Sequence, residues 1–296
     1  MKHFLTKSNV LTALHILGIA VFTGLFAWKA SAEEAQAKAD TISIGGSITE
    51  IVYALGEEHR LLARDTTSSF PPEVENLPDV GYIRALSPEG VLSVGPEIVI
   101  AEDGAGPANA VEVLKAASIT YVEVPGVDTP AGVIDKIRVV GTALGVEEKA
   151  ADLADAVNAD LDRVLATVAA QKAEKRRVLF ILTTQGGRIM AGGVDTAAHA
   201  IIELAGGTNV IDNFNGYKTV TAEAITAAQP DVVLMMDRGG GHSSTNEALW
   251  STPALMLTPA AENDAVVRIG GLLLLGFGPR TAEAIETLHK ALYAPS

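Results

Sequence analysis

The chain contains no cysteine. That absence excludes disulfides, thiolate metal sites, cysteine nucleophiles and a lipid-anchored N-terminal cysteine. Basic residues are also short: 22 Lys and Arg stand against 36 Asp and Glu, for a net charge of −14. A surface of that sign disfavours nucleic acid and anionic membranes as partners. The catalytic signatures are missing too. There is no G-x-S-x-G elbow, no Walker loop and no H-E-x-x-H, and Gly45-Gly46-Ser47 lacks the spacing of a dinucleotide fingerprint. With neither cysteine nor paired histidines, a zinc site finds no support. Aromatics are scarce at 5%, so one placed in a polar loop stands out.

What is present suits a packed α/β protein. The 296 residues are 48% hydrophobic, enough for a sizeable core in one or two domains. Lys2 and Lys7 precede an apolar run from Val10 to Trp28, and Ala30-Ser31-Ala32 offers small residues for cleavage. Residues 1–32 therefore read as a signal peptide, with an uncleaved anchor as the alternative because the run is long. Export without a lipidation cysteine points to a Gram-negative periplasm.

From Thr41 onward strand and helix alternate, the pattern of mainly parallel sheets. Strands are expected over 41–44, 60–64, 97–101 and 120–124. Helices are expected from Ser47 to Gly56, with Ser47 and Glu50 as a capping box, and over 88–94 and 130–144. Residues 147–175 read as one long helix, acidic at its start and lysine-bearing at its end, as the helix dipole prefers. Its apolar positions are mostly alanine and hold no leucine heptad, so it reads as a rigid spine and not a coiled coil. Strands over 177–182, 209–211, 231–236 and 265–269 follow, with helices over 195–205, 221–228 and from Pro279. The stretch TTQGGRIMAGG between the first strand and helix of this half reads as a loop. The organisation is an N-terminal lobe over 40–146, a linking helix over 147–175 and a C-terminal lobe over 177–296, with a ligand cleft between the lobes.

The two lobes share text. Residues 220–234, VTAEAITAAQPDVVL, align without a gap on 86–100, LSPEGVLSVGPEIVI. Ser87 and Thr221 become equivalent N-caps, and Glu89 and Glu223 equivalent acids in the first helical turn. More faintly, GGSITEIVYALG at 45–56 resembles GGVDTAAHAIIELAGG at 192–207. Two copies at this distance mean two similar lobes.

Two loops draw notice. TTSSFPPEVENLPDVGY is long for a compact domain, where such loops are more often functional than idle. It ends at Tyr82, with Arg84 two residues on. DRGGGHSS, holding Arg238 and His242, leaves the carboxyl end of a parallel strand, where ligands of open α/β sheets gather. Taken alone, a loop tyrosine is ordinarily a packing residue and a loop arginine a solvated one. His199, beside Ala and Ile in a helix, reads as a packed or surface histidine.

From about Asp40 to its end the chain resembles the periplasmic binding proteins with a helical backbone, class III, which serve importers of iron complexes and corrinoids. GGSITEIVYALG, LPDVGYIRALSPEGVLSVGPEIV and the segment DTAAHAIIELAGGTNV resemble the haem-binding members of the HmuT type. The resemblance implies a receptor that captures haem b between its lobes. It would pass the haem to an ABC importer, a permease dimer with its ATPase, downstream of an outer-membrane haem receptor. It implies Tyr82 as an axial ligand of the haem iron, and phenolate is a hard anion suited to ferric iron. Arg84 is then placed to favour the phenolate or hold a propionate. Arg238 would pair with a propionate or the Tyr82 oxygen, since arginine forks onto carboxylates. His242 is a lesser candidate for the second axial position. Some relatives hold a second haem with a histidine after the first strand of the second lobe, where this chain reads Thr183-Thr184-Gln185. In the same relatives one glutamate per lobe pairs with permease arginines, and the match falls on Glu89 and Glu223. A ferric siderophore or cobalamin is the alternative ligand within the fold. A periplasmic hydrolase using Asp or Glu pairs and a membrane-anchored structural protein are the alternatives outside it.

Overall fold

Two sheets carry the fold, and they share a parallel core. The structure is a computed structural model that describes residues 38–184, 188–237 and 245–293. The expected signal segment lies outside the described residues. In the first lobe β1 (Thr41–Ile44), β2 (Leu61–Arg64), β3 (Ile98–Glu102) and β4 (Thr120–Val124) form an all-parallel sheet in the order β2-β1-β3-β4. In the second, β5 (Arg177–Thr183), β6 (Ile189–Gly192), β7 (Thr208–Asn209), β8 (Tyr217–Val220), β9 (Val232–Asp237) and β10 (Val266–Gly270) run β10-β9-β5-β6-β8, with β7 also on β5.

The repeat seen in the text is a repeat in topology. β3 joins β1 at Thr41 and Ile98, and β9 joins β5 at Val178 and Val232, both in parallel. β2 and β7 take the other side, and β4 and β10 extend the sheets. Sheet order β2-β1-β3-β4 therefore recurs as β7-β5-β9-β10. The antiparallel pair β6–β8 is the second lobe's own addition, and it corrects the expectation of a loop over 183–193. Four residues between glycines give too short a run to show period two.

Helices α1 (Gly46–Ala54), α2 (Pro88–Ser93) and α3 (Ala108–Ala116) serve the first sheet. Between the sheets run α4 (Pro130–Leu144) and α5 (Glu147–Ala169), and the second sheet carries α6 (Ala197–Leu204), α7 (Ala222–Ala228), α8 (Asn246–Trp250), α9 (Pro259–Glu262), α10 (Gly271–Leu275) and α11 (Thr281–Tyr293). Ser87 accepts from the Gly90 amide at 3.3 Å and Thr221 from the Ala224 amide at 3.2 Å, so both N-caps form as the sequence predicts.

The capping box at Ser47 does not form. α1 starts one residue earlier, with Gly45 at its N-cap and no side-chain cap. Ser47 instead donates to Glu102 at 3.1 Å, and Glu50 pairs with Arg280 of the other lobe. Tertiary partners outcompete the local bond.

The long helix buries Ala150, Ala154, Val157, Leu161 and Val164, a stripe at alternating steps of four and three. Alanines on that stripe permit close approach: a Cβ at Gly141 of α4 would meet Ala150 at 2.1 Å. α5 ends at Ala169, short of residue 175, where the Gln171 side chain accepts from the Lys172 and Ala173 amides and turns the chain away. The same core cluster takes in α4, α5 and α11, so the helix is packed onto both lobes.

The lobes are tied by charge. Lys136 of α4 is 1% exposed; it pairs with Glu102 and donates to Ser47 Oγ at 3.0 Å and to the Gly276 carbonyl of the second lobe at 3.3 Å. The Arg280 guanidinium pairs with Glu50 and lies 3.6 Å above the Phe70 ring centroid. Removing one member of a buried pair strands the other, at a cost of about 3–5 kcal/mol. Glu102 keeps 21% of its side chain exposed, so the lower figure applies. Lys136→Ala is expected to lower stability by about 3 kcal/mol, seen as a melting temperature lower by about 6–12 °C. A Lys136→Ala protein melting within 2 °C of the parent would show that the tie is dispensable.

Candidate functional site

Every strand of the first sheet is parallel, so all four carboxyl ends, and the loops that leave them, fall on one edge. That edge is the first wall of the cleft. β1 opens into Gly45 at φ +113, whose amide donates to Asp65 Oδ1 at 3.0 Å. The fully buried Asp65 also accepts from the Thr67 amide and hydroxyl and from Ser68 Oγ, which fixes the start of the loop leaving β2. That loop returns through Asp79 and Gly81 to Tyr82.

Alternation orients the tyrosine. Val80 and Leu86 are buried and Ile83 packs against the same cluster, while Tyr82 is 46% exposed. The turn closes with the Ala85 amide donating to the Tyr82 carbonyl at 2.7 Å. It is then clamped to the loop leaving β3: the Gly106 amide donates to the Ile83 carbonyl, and the Leu86 amide to the Gly106 carbonyl, each at 2.8 Å. Arg84 is exposed on the same turn. On the next loop, leaving β4, Val127 is 49% exposed and Asp128 half-buried. Burial pushes the Asp128 carboxyl up; the Lys136 charge opposes this and the Glu102 charge adds to it.

Among the described residues, three exposed large apolar side chains, Phe70, Tyr82 and Val127, belong to loops on this wall. Scattered single exposures need no explanation, but three on adjoining loops mark a surface for an apolar ligand.

Opposite stands Tyr217 of β8, which sequence reasoning passed over. Its ring leans on Phe180, 6.2 Å between centroids. Burial pushes its phenol up, hydrogen bonding to the Ala198 backbone and the Thr196 side chain resists this, and the charges of Asp128 and Arg84 both reach it. Two side chains of the first wall are thus close to one residue of the second. The available signal was a glycine directly before the aromatic, as at Gly81-Tyr82.

Arg238 and His242 lie outside the described residues, as does Gln185. His199 stands beside Asn209, whose Nδ2 is 3.4 Å from its Nδ1, away from the Tyr82 turn in sequence and element. Glu89 and Glu223 are exposed in the first turns of α2 and α7. Each precedes its strand, β3 or β9, by the same number of residues, so the topological repeat makes them equivalent. No group of three or more His, Asp or Glu able to hold a metal occurs among the described residues.

Comparison with known proteins agrees with this architecture. A family model described as periplasmic binding protein matches residues 42–271. Among solved structures, the chain is similar to the periplasmic heme-binding protein BhuT in complex with two hemes, with TM-score 0.82 and 40% identity, covering 86% of this chain and 97% of that one. It is similar to the periplasmic heme-binding protein RhuT from Roseiflexus sp. RS-1, with TM-score 0.83 and 32% identity, covering 87% and 98%. Among curated proteins it is 26% identical to the ABC transporter substrate-binding lipoprotein YvrC of Bacillus subtilis (strain 168), over 85% of this chain and 79% of that one. It is 24% identical to a vitamin B12-binding protein of Vibrio cholerae serotype O1, over 83% and 86%. The chain belongs to the periplasmic binding protein family: it is the substrate-binding component of an ABC-type importer, acts outside the cytoplasmic membrane with a permease and an ATPase, and is not an enzyme.

Proposed function

We propose that the chain captures haem between its lobes, with Tyr82 as the iron ligand, and delivers it to the importer. The observation that carries the reading is the Tyr82 turn, which exposes a phenol on the sheet edge whose other loops expose Val127 and Phe70, and which is clamped through Gly106. A planar, apolar, iron-bearing ligand needs that combination: apolar contact for the macrocycle and one hard anionic donor for ferric iron. Arg84 is the nearest cation in sequence and serves the phenolate or a propionate; Arg238 and His242 remain the second-lobe candidates. The solved structure of highest identity reported above, a heme-binding protein, supports the reading at 40% over nearly its whole length.

Cobalamin is the second reading, favoured by the curated relative at 24% identity. A corrinoid brings its cobalt already enclosed and needs aromatic walls more than a phenolate. Titration of the purified protein with hemin and, separately, with cyanocobalamin decides between them. Saturable hemin uptake with a high-spin ferric spectrum is expected, and its end point counts the haems per cleft. Saturable cobalamin binding without hemin binding would overturn the haem reading. We further propose export by a cleavable signal peptide over 1–32, lobes over 40–146 and 177–296 joined through 147–175, an outer-membrane haem receptor upstream, and docking on the permease dimer through Glu89 and Glu223.

A further inference from the structure

The haem reading uses Tyr82 but leaves open what aims it. Three residues upstream, the Asp79 carboxylate gathers three donors from two stretches of chain. Its Oδ1 accepts from the Gly81 amide at 2.8 Å and from Thr66 Oγ1 at 3.1 Å, and its Oδ2 accepts from the Arg64 guanidinium at 2.9 Å. Backbone bonds lace the same two stretches: Arg64 amide to Pro78 carbonyl at 3.0 Å, Val80 amide to Arg64 carbonyl at 2.9 Å, and Thr66 amide to Gly81 carbonyl at 3.0 Å. Arg64 is 13% exposed at the end of β2 and also donates to the Asp65 carbonyl, so the anchor reaches the sheet itself. Gly81 sits at φ +102, a conformation that side-chain-bearing L residues rarely adopt, and Tyr82 leaves directly from it.

Asp79 thus holds the last backbone step before the phenol, as the Gly106 clamp holds the steps after it. Aspartate bonding to the amide two residues on is a local turn device, and here the same carboxylate also carries an ion pair to the sheet. We propose that Asp79 is the positioning residue of the Tyr82 phenol: it fixes the Gly81 backbone so that the phenol meets the iron without first having to be ordered. The proposal rests on the haem reading of the cleft. It explains why an exposed loop carboxylate sits in a pair with a largely buried arginine, and it gives the iron ligand a supporting shell of the kind that metal sites use.

The test compares the parent with Asp79→Ala, Asp79→Asn and Gly81→Ala. Supporting groups of this kind typically change metal affinity about 10–100-fold, and Asp79→Ala is expected to weaken hemin binding by that factor. It should also lose part of the phenolate-to-iron charge-transfer absorption. Asp79→Asn keeps an acceptor for the Gly81 amide and should recover much of both. Gly81→Ala, strained at the same step, should resemble Asp79→Ala. A haem-free measurement runs alongside: carbon-13 resonances of labelled tyrosine, with Tyr82 identified by its loss in Tyr82→Phe. A single narrow Tyr82 signal in the parent should broaden or split in Asp79→Ala. Parent affinity and spectrum in Asp79→Ala would overturn the proposal, and so would weakened hemin binding with an unchanged Tyr82 signal. If the parent takes up no hemin, the haem reading falls. The resonance then decides alone, an unchanged Tyr82 signal in Asp79→Ala overturning the positioning role. Should Asp79→Ala not fold, Asp79→Asn and Gly81→Ala carry both measurements.

Discussion

Tyr82→Ala is expected to bind hemin about a hundredfold or more weakly than the parent, since losing a ligand exceeds the 10–100-fold typical of losing a group that only supports one. Tyr82→Phe should keep the ring's apolar contact and lose the iron bond, so its complex should lack the charge-transfer absorption of a phenolate. Neither change should disturb the fold. The side chain is 46% exposed, and the turn is closed by backbone bonds from Ala85, Gly106 and Leu86 that both variants retain. Surface substitutions of this kind stay within about 0.5 kcal/mol of the parent. An affinity loss at unchanged melting temperature therefore reports the site, not the fold. If both variants match the parent in affinity and spectrum, Tyr82 is a surface aromatic and the ligand lies elsewhere.

The parts of this molecule that were legible in its sequence are those decided locally. The caps at Ser87 and Thr221 form because a short polar side chain satisfies an amide three residues on, whatever surrounds it. The long helix α5 is likewise a pattern within one segment, and the two-lobe repeat was legible because two segments share their text. Tyr82 was singled out through the resemblance of its segment, since a loop tyrosine taken alone is ordinarily a packing residue. What was missed is decided between segments. Ser47 and Glu50 carry the letters of a capping box, yet their partners are Glu102 and Arg280, 55 and 230 residues away. No window along the chain contains both ends of such a contact. The strand β6 was missed because its evidence lies in β8, which pairs Met190 with Thr219 and Ala191 with Lys218. Tyr217 was missed with it, since its place is set by the antiparallel pairing of β8 with β6.

Replacing both Glu89 and Glu223 with alanine should leave hemin binding intact and remove most of the protein's ability to drive its importer. A helix-end role explains either glutamate alone: an acid in the first turn stabilises a helix by about 0.3–1 kcal/mol. It explains less well why the same position is acidic in both lobes when the neighbours have diverged. Local bonds hold each carboxylate in place on its helix end. Ser87 Oγ donates to Glu89 at 3.1 Å. In the other lobe the Glu223 backbone amide and the Thr221 hydroxyl hold the Glu223 carboxyl below the usual range. Both side chains are exposed, and the sheets place their helices equivalently beside β3 and β9. A receptor with one carboxylate per lobe matches a twofold-symmetric permease dimer, and complementary charge of this sort sets orientation and encounter rate. With each pair worth about 1.5 kcal/mol, the lower figure for a hydrogen bond to a charged group, docking should weaken about tenfold for one substitution and about a hundredfold for both. Stimulated ATP hydrolysis by the importer in proteoliposomes should follow, and raising salt should mimic the substitutions in the parent. A double variant that supports uptake at the parent rate would reduce the two glutamates to helix-end residues. Parallel loss of hemin affinity would place them instead in the binding site, against their position in the first turns of α2 and α7.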